Sequence, residues 1–266
     1  MAKYNWRQMK AGAQEFPEYL KIYEHWRQAV IEGAFEDVEI IHVYGHNTAV
    51  GAVREMVWHQ GGVYSYLTTP TILTVASSST DDVNLTGIGA WKVCIHTLDP
   101  SFNPQKEVVA LNGQNGVNMI RPCMRVLTKH VIASGTTGWN VGDIRTGTGA
   151  IVAGVPQTLV ISNAGATFNK TLLAMHTIRN GWTGYMKSWG ATSSISKQVQ
   201  AQVRVRKPEE PFVVEDFSSM TVGQIKEVRA AHLKLPSKTD LQISAAAVGG
   251  GGAVGAACEI IQYRNA

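Results

Sequence analysis

From Trp91 the chain alternates at a period of two. Trp91, Val93, Ile95 and Thr97 interleave with Lys92, Cys94, His96 and Leu98, the spacing of a strand with distinct faces. Asp99-Pro-Ser-Phe-Asn-Pro follows as a turn: its prolines fix φ, and Asp99 and Asn103 can bond their own backbone. A second run, Glu107-Val-Val-Ala-Leu, stops at the tight-turn dipeptide Asn112-Gly113, and Met119 to Ile132 makes a third. Together these predict a three-stranded antiparallel meander.

The same pattern recurs along most of the chain. Thr71 to Ala76 is a predicted strand closed by Ser77-Ser-Ser-Thr-Asp-Asp, and further strands are expected at Ile144-Arg145, Ala150 to Ala153, Asn169 to Ile178 and Tyr185 to Thr192. In Lys197 to Arg206 the alternation is cleanest: Val199, Ala201, Val203 and Val205 should face inward, and Gln198, Gln200, Gln202, Arg204 and Arg206 should face water. Thr221 to Leu235 fits either strand or a short helix. Asp240 to Ala245 and Ala256 to Tyr263, joined through Gly249 to Gly252, should finish the chain as strands. About ten short strands with frequent turns predict an all-β antiparallel sandwich or barrel, here a sandwich.

The start of the chain is different. Phe16-Pro17 opens a predicted helix in which Tyr19, Ile22, Tyr23, Trp26 and Val30 share one face, with Gly33 ending the run. That face either packs on its own core or docks on a neighbouring subunit. From Ala34 to about Thr69 no clear periodicity appears, which suggests an extended arm. The expected division is a helix and assembly arm over 1–66 and a sandwich over 67–266. Trp58 and Tyr64 of the arm join the five helix residues as candidate interface positions.

Composition narrows function mostly by exclusion. Of 266 residues 17% are charged, and the formal net charge is only +4, too little to argue for nucleic acid. A low-charge surface rich in Gly, Thr, Ser and Asn suits a protein packed against other copies. Cys94, Cys123 and Cys258 lie far apart in apolar runs and are expected to be buried free thiols of a reducing compartment. Met1 is followed by Ala-Lys-Tyr-Asn-Trp, so no secretion signal is expected, and no apolar run approaches bilayer length.

Candidate chemistry is sparse. The histidines (25, 42, 46, 59, 96, 130, 176 and 232) are scattered, with no HExxH, GxSxG or CxxC pattern. No catalytic, cofactor-binding or metal-ligating residue is therefore assigned. Gly87-Ile-Gly89 and Gly142 to Gly149 lack the features of a phosphate loop and are expected to be sheet turns. Asp81-Asp82 and Glu209-Glu210 are expected to be solvated. Trp139, Trp182 and Tyr185, in or beside loops, could stack on sugar rings or serve subunit contacts. Arg204, Arg206 and Lys207 are expected to guard a strand edge.

Several turn motifs, in order, resemble a family of virion structural proteins of tailed bacteriophages. They are Gly45-His-Asn-Thr-Ala-Val with Met56-Val-Trp-His-Gln-Gly-Gly-Val-Tyr, Ala76-Ser-Ser-Ser-Thr-Asp-Asp, Thr86-Gly-Ile-Gly-Ala, Leu98-Asp99 and Val108-Val-Ala-Leu-Asn-Gly. Asn140-Val-Gly-Asp-Ile and Leu235-Pro-Ser-Lys-Thr-Asp-Leu-Gln-Ile complete the set. The likeness spans about residues 40 to 263. Where the family often carries Asp-Val-Asp, this chain has Thr48-Ala-Val50, and His59-Gln60 replaces a usual acidic position. The resemblance implies a jelly-roll-like sandwich in a virion assembled in the host cytoplasm, acting as a capsid decoration or cement protein without catalysis or cofactor. Expected partners are further copies, as a homotrimer or other homo-oligomer, and the phage major capsid protein or another virion protein, with no direct nucleic acid and no membrane. The alternatives are a tail, baseplate or fibre-attachment protein, or a carbohydrate- or receptor-binding module.

Overall fold

The structure, a computed structural model, describes residues 25–249 and 251–265, and of residues 195, 197 and 226–231 the backbone alone. Tyr19, Ile22 and Tyr23 lie outside these residues. Residues 25–31 are helical, and everything after them is strand and turn. In chain order the strands are β1 (Val38–Val50), β2 (Glu55–Met56), β3 (Thr74–Ser77), β4 (Ala90–Leu98), β5 (Pro104–Ala110) and β6 (Val117–Asn118). Next come β7 (Arg125–Ser134), β8 (Ile144–Thr148), β9 (Ile151–Val152), β10 (Val155–Pro156) and β11 (Leu159–Ala164). The last are β12 (Met175–Thr177), β13 (Trp182–Arg206), β14 (Val213–Leu235), β15 (Asp240–Ala247) and β16 (Gly252–Arg264). All pairings between these strands are antiparallel, so the protein is an all-β antiparallel sandwich.

The largest sheet is built on β13. This strand pairs with β16 from Trp182↔Arg264 to Ser193↔Val254, and then with β15 from Val199↔Ala247 to Arg206↔Asp240. Both partners lie on one edge and run the same way. β15 and β16 are therefore not partners in a final hairpin: each pairs with a different part of β13. β14 covers the opposite edge of β13 along its length, so Thr221 to Leu235 resolves as strand. The inward set Val199, Ala201, Val203 and Val205 is buried as the alternation predicts. The outward set is only partly solvated, because Arg206 and Arg204 are drawn under Phe212. Nor is their strand an edge: β13 has partners on both sides, so those arginines guard nothing there.

The second half of the sandwich faces a four-stranded sheet, β11-β8-β3-β6, towards a three-stranded one, β5-β4-β7. Val93, Ile95, Val109 and Val126 of the smaller sheet meet Val75, Ile144 and Ile161 of the larger in one core. The expected meander is rearranged here, since β4 and not β5 is central. After β5 the tight turn at Asn112-Gly113 forms, Asn115 N donating to Asn112 O at 3.0 Å, but the chain beyond it does not pair with β5. Gly113 instead exchanges backbone bonds with the 77–82 turn, at 2.9 Å to Ser77 and 2.9 Å to Asp82. β6 then joins β3, and the chain returns as β7 on the far side of β4, from Arg125 rather than Met119. The Asp99 turn forms as expected, its Oδ1 accepting from Ser101 N and Asn103 N, each at 2.8 Å.

The segment expected to be an extended arm lies in the body over its described length. β1 pairs with β16 from Val38↔Tyr263 to Val50↔Gly252. Two short extended stretches then run between the cores and alternate between them: Met56 and Trp58 point to the second core and Val57 to the first, as do Leu173, Met175 and Ala174. This is the period-two rule applied to backbone sandwiched between two apolar layers, and it hid the segment from a search for one-sided alternation. Gly45 is required at the crossing, because a Cβ there would stand 2.1 Å from Val57 O and 2.4 Å from Ala174 N. No boundary separates 1–66 from the remainder among the described residues, as Tyr64 and Leu67 share a core with β3, β4 and β7.

Two buried polar centres fasten this framework. Asp240 of β15 binds Arg125 of β7 through two hydrogen bonds of 2.9 Å, Thr177 Oγ1 of β12 at 2.6 Å and Arg206 of β13 at 2.5 Å. It thus ties the three-stranded sheet to the largest one. Tyr66 lies against both guanidinium groups, 5.0 Å from that of Arg125 and 4.3 Å from that of Arg206. Asp82, expected to be solvated, is fully buried; Asp81 is the exposed one. The Asp82 carboxylate accepts from Ala90 N, Val141 N, Gly142 N and Ser77 Oγ at 2.5 to 2.9 Å. Four donors from three separate segments of the chain supply the compensation that a buried charge demands.

His176 gives the fold a pH dependence. It is buried in β12 beside Gln262, whose amide lies 2.8 Å from Nε2. Burial, with the Arg179 charge adding to it, lowers its pKa from 6.5 to about 4. In the unfolded chain His176 takes up a proton below pH 6.5, which the folded protein resists, so stability is full above that pH and declines towards pH 4. A shift of this size corresponds to roughly 3 kcal/mol. His176→Gln should lose about that much less stability between pH 7 and pH 4 in paired urea titrations; equal losses would show that His176 is not the titrating group.

Candidate functional site

Two places on the molecule could do more than hold it together: the outer face of the three-stranded sheet and the outer edge of β14. On the first, β4 puts Cys94 and His96 on one side by its period of two, and β7 brings His130 directly opposite Cys94. Cys94 Sγ lies 3.6 Å from His96 Nε2, and the two imidazole centroids are 5.5 Å apart. Potential ligand atoms of all three residues fall within 4.8 Å of one another. Burial, then the neighbouring His130 and Lys106, lower the pKa of His96 and hold the ring neutral. Sequence spacing gave no sign of this trio, because His130 reaches it only through strand register. The alternation placing Cys94 and His96 on one face was the available half of the signal.

The second place is an unfinished sheet edge. β14 pairs with β13 on one side, and among the described residues nothing pairs with its other side. Val213, Val214, Phe217 and Val222 are each about half exposed there. From Val213 to Val222 the strand has no proline and no lysine, and Glu215 and Asp216 are its only charged residues, so the usual protection of a sheet edge is light there. A groove of about 460 Å³ on the same sheet runs up to this strand, lined by His42, Tyr44, Gly190, Thr192, Gly255 and Gln224. At its far end Arg27 of the helix grips Glu259 with two bonds of 2.7 and 2.8 Å.

The residues singled out from sequence are dispersed. Val30 is buried and Trp26 packs beside it, in a small cluster with Phe35, Val38 and Ile261 at the end of β1 and β16. Trp58 and Tyr64 meet edge to face at 5.1 Å inside the second core. Trp182 is buried beneath the Arg179 guanidinium, 3.6 Å from its ring centre, so no sugar can reach that face. Tyr185 leans on Tyr263, and Trp139 stands exposed in its loop. The platform of paired aromatics that glycan stacking would use is not assembled from Trp139 and Trp182. All three cysteines are buried and free, as expected. Glycines 87, 89 and 142 sit in turns whose amides bond internally to Val83 O, Asp81 O and Asp82, so they present no phosphate cradle.

No protein-family profile matches the chain, and no curated protein matches it. Among solved structures, a chain of the Cowpea Mosaic Virus empty virus-like particle is similar at 9% identity, covering 77% of this chain and 83% of that one, with a TM-score of 0.20. A chain of infectious bursal disease virus, Gx strain, is similar at 10% identity, covering 87% and 77%, with a TM-score of 0.21. A bacterial lipoprotein from Bacteroides thetaiotaomicron is similar at 10% identity, covering 83% and 99%, with a TM-score of 0.18. Superpositions this loose carry no argument about role. No described helix is long and apolar enough to cross a membrane.

Proposed function

We propose that this chain is a non-enzymatic structural subunit of a virus particle, a decoration or cement protein of a tailed phage that binds neighbouring subunits through its sheet surfaces. The observation that carries the reading is the outer edge of β14. A long strand that among the described residues pairs with another strand on one edge only, and that carries half-exposed Val213, Val214, Phe217 and Val222, suits pairing with another chain. The ordered turn motifs resembling phage virion proteins supply the context, and the low charge suits a molecule surrounded by other protein. Many modest contacts of this kind add up when a subunit engages several neighbours together.

The leading segment enters this proposal differently from the sequence expectation. Its described part belongs to the body, so the surfaces offered to neighbours are the β14 edge and the adjoining groove. The double variant V214K/F217K places two cations on the exposed strand and leaves both cores untouched. It is expected to remain folded while its self-association or incorporation into particles falls about tenfold or more, which corresponds to at least ~1.4 kcal/mol. Sedimentation of the purified variants, with particle-bound protein measured in parallel, reads this directly. Unchanged association and incorporation would remove β14 from the account.

A further inference from the structure

We propose that Cys94, His96 and His130 bind a single zinc ion on the outer face of the β5-β4-β7 sheet. The three residues stand on a rigid frame. The three side chains project from two neighbouring strands in regular antiparallel register, β4 being the central strand of its sheet. Their relative positions are fixed by backbone and not by a loop. Such a frame presents its ligands with little ordering cost.

The distances suit the ion. Tetrahedral zinc with a Zn–S bond of ~2.3 Å and Zn–N bonds of ~2.05 Å holds sulfur and nitrogen ~3.5 Å apart. Cys94 Sγ and His96 Nε2 stand at 3.6 Å. His130 completes the set within 4.8 Å, and a side-chain rotation of about an ångström closes the remainder. The donor chemistry then selects among metals. One sulfur and two imidazole nitrogens favour zinc and other borderline or soft ions, while magnesium and calcium require oxygens. Among the described residues no fourth His, Cys or carboxylate joins the group. Cys94 is buried while His96 and His130 are partly exposed, so the fourth position is left to water on the histidine side.

The charged groups nearest the cluster are lysines. Lys106 stands opposite His96, and the backbone of Lys170 bridges to that of His130. Lys106 is among the neighbours that disfavour protonation of the His96 ring, and a metal ligand has to be unprotonated. The lysines also work against any cation held by charge alone, so affinity here has to come from coordination. The competing account is a simple thiol–imidazole contact between Cys94 and His96 with no ion.

The test uses the full chain, reduced and freed of metal by a chelator. Zinc chloride titrated by calorimetry is expected to bind one ion per chain, with a dissociation constant in the micromolar range or tighter. Cobalt(II) in its place should give the intense visible bands of four-coordinate cobalt and a thiolate-to-cobalt charge-transfer band in the ultraviolet. Cys94→Ala should abolish the charge-transfer band, and His130→Gln should weaken zinc binding by more than ~100-fold, since even residues behind the ligands carry 10–100-fold. Thr128→Ala, beside the cluster on β7, should bind as the parent does. Circular dichroism checks that each variant is folded; should one fail to fold, the stoichiometry and cobalt spectrum of the unaltered chain decide. Absence of saturable binding, a cobalt spectrum without the sulfur band, or undiminished binding by folded His130→Gln would overturn the proposal.

Discussion

Asp240→Ala is expected to destabilise the protein by about 3–5 kcal/mol, the usual cost of removing one partner from a buried ion pair. The Asp240 carboxylate is almost wholly buried and is the only acceptor shared by Arg125, Thr177 and Arg206 in the hydrogen bonds described. Without it the Arg125 guanidinium keeps its two backbone acceptors, Leu67 O and Met124 O, but its charge is left uncompensated between two sheets. Burial by itself would raise the Asp240 pKa; the Arg125 hydrogen bonds and charge, with Thr177 and Arg206, outweigh it and hold the pKa below the ordinary 3.8. The sign follows from linkage: a carboxylate with a depressed folded pKa contributes stability above pH ~4 that is lost as pH falls through the folded value. Asp240→Ala should therefore lower the urea midpoint sharply at pH 7 and make it less sensitive to acid below pH 4. Arg206→Ala, at a half-buried position, should cost about 1 kcal/mol. Equal effects of Arg206→Ala and Asp240→Ala would contradict the assignment of Asp240 as the tie between sheets.

Asp82→Ala is expected to have a comparable effect, about 4 kcal/mol, by a different route. It orphans three backbone N–H groups and one hydroxyl in a buried site, each worth roughly 1–3 kcal/mol when left unsatisfied. Water entering the vacated space offsets part of that sum. Asp82→Asn keeps the volume but turns an NH2 towards donors, and should cost about half as much. Asp81→Ala, one position earlier and exposed, should lie within ~0.5 kcal/mol of the parent. Thermal unfolding of the four proteins gives the ranking, and limited proteolysis should show early cutting in the 78–89 and 135–143 loops of Asp82→Ala. A neutral Asp82→Ala would mean that the turns hold their shape without the carboxylate.

These two acids also mark the limit of what the sequence could disclose. Asp82 sits in a Ser-rich turn and looks solvated, yet the Ser77, Gly89-Ala90 and Asn140-Val-Gly142 segments all converge on it. A Cβ at Gly89 would stand 2.2 Å from its Oδ1, which accounts for glycine in that motif. Each motif was legible alone, and their meeting point depends on pairing across more than fifty residues. Strand content was the most accessible property: the alternation of Val199, Ala201, Val203 and Val205 with Gln and Arg fixed both the strand and its inner face. Connectivity was less so. The Gly249 to Gly252 stretch carries the composition of a turn whether or not the strands beside it pair with each other, and only the register of β15 and β16 on β13 distinguishes the two. The 34–69 segment misled for a physical reason, since backbone lying between two cores is apolar on both faces and shows no amphipathic period. The Cys94, His96 and His130 trio needed a register that no local pattern encodes.

The central claim is that this molecule is a building part of a particle and meets its neighbours through the free edge of β14. Cryo-electron microscopy of particles purified from cells carrying the genome that encodes the chain tests it most directly. The account predicts ordered density for the sandwich at the particle surface, with Val214 and Phe217 covered by an adjacent subunit. Purified particles that lack the chain, or that carry it with the whole β14 edge open to solvent, would contradict it.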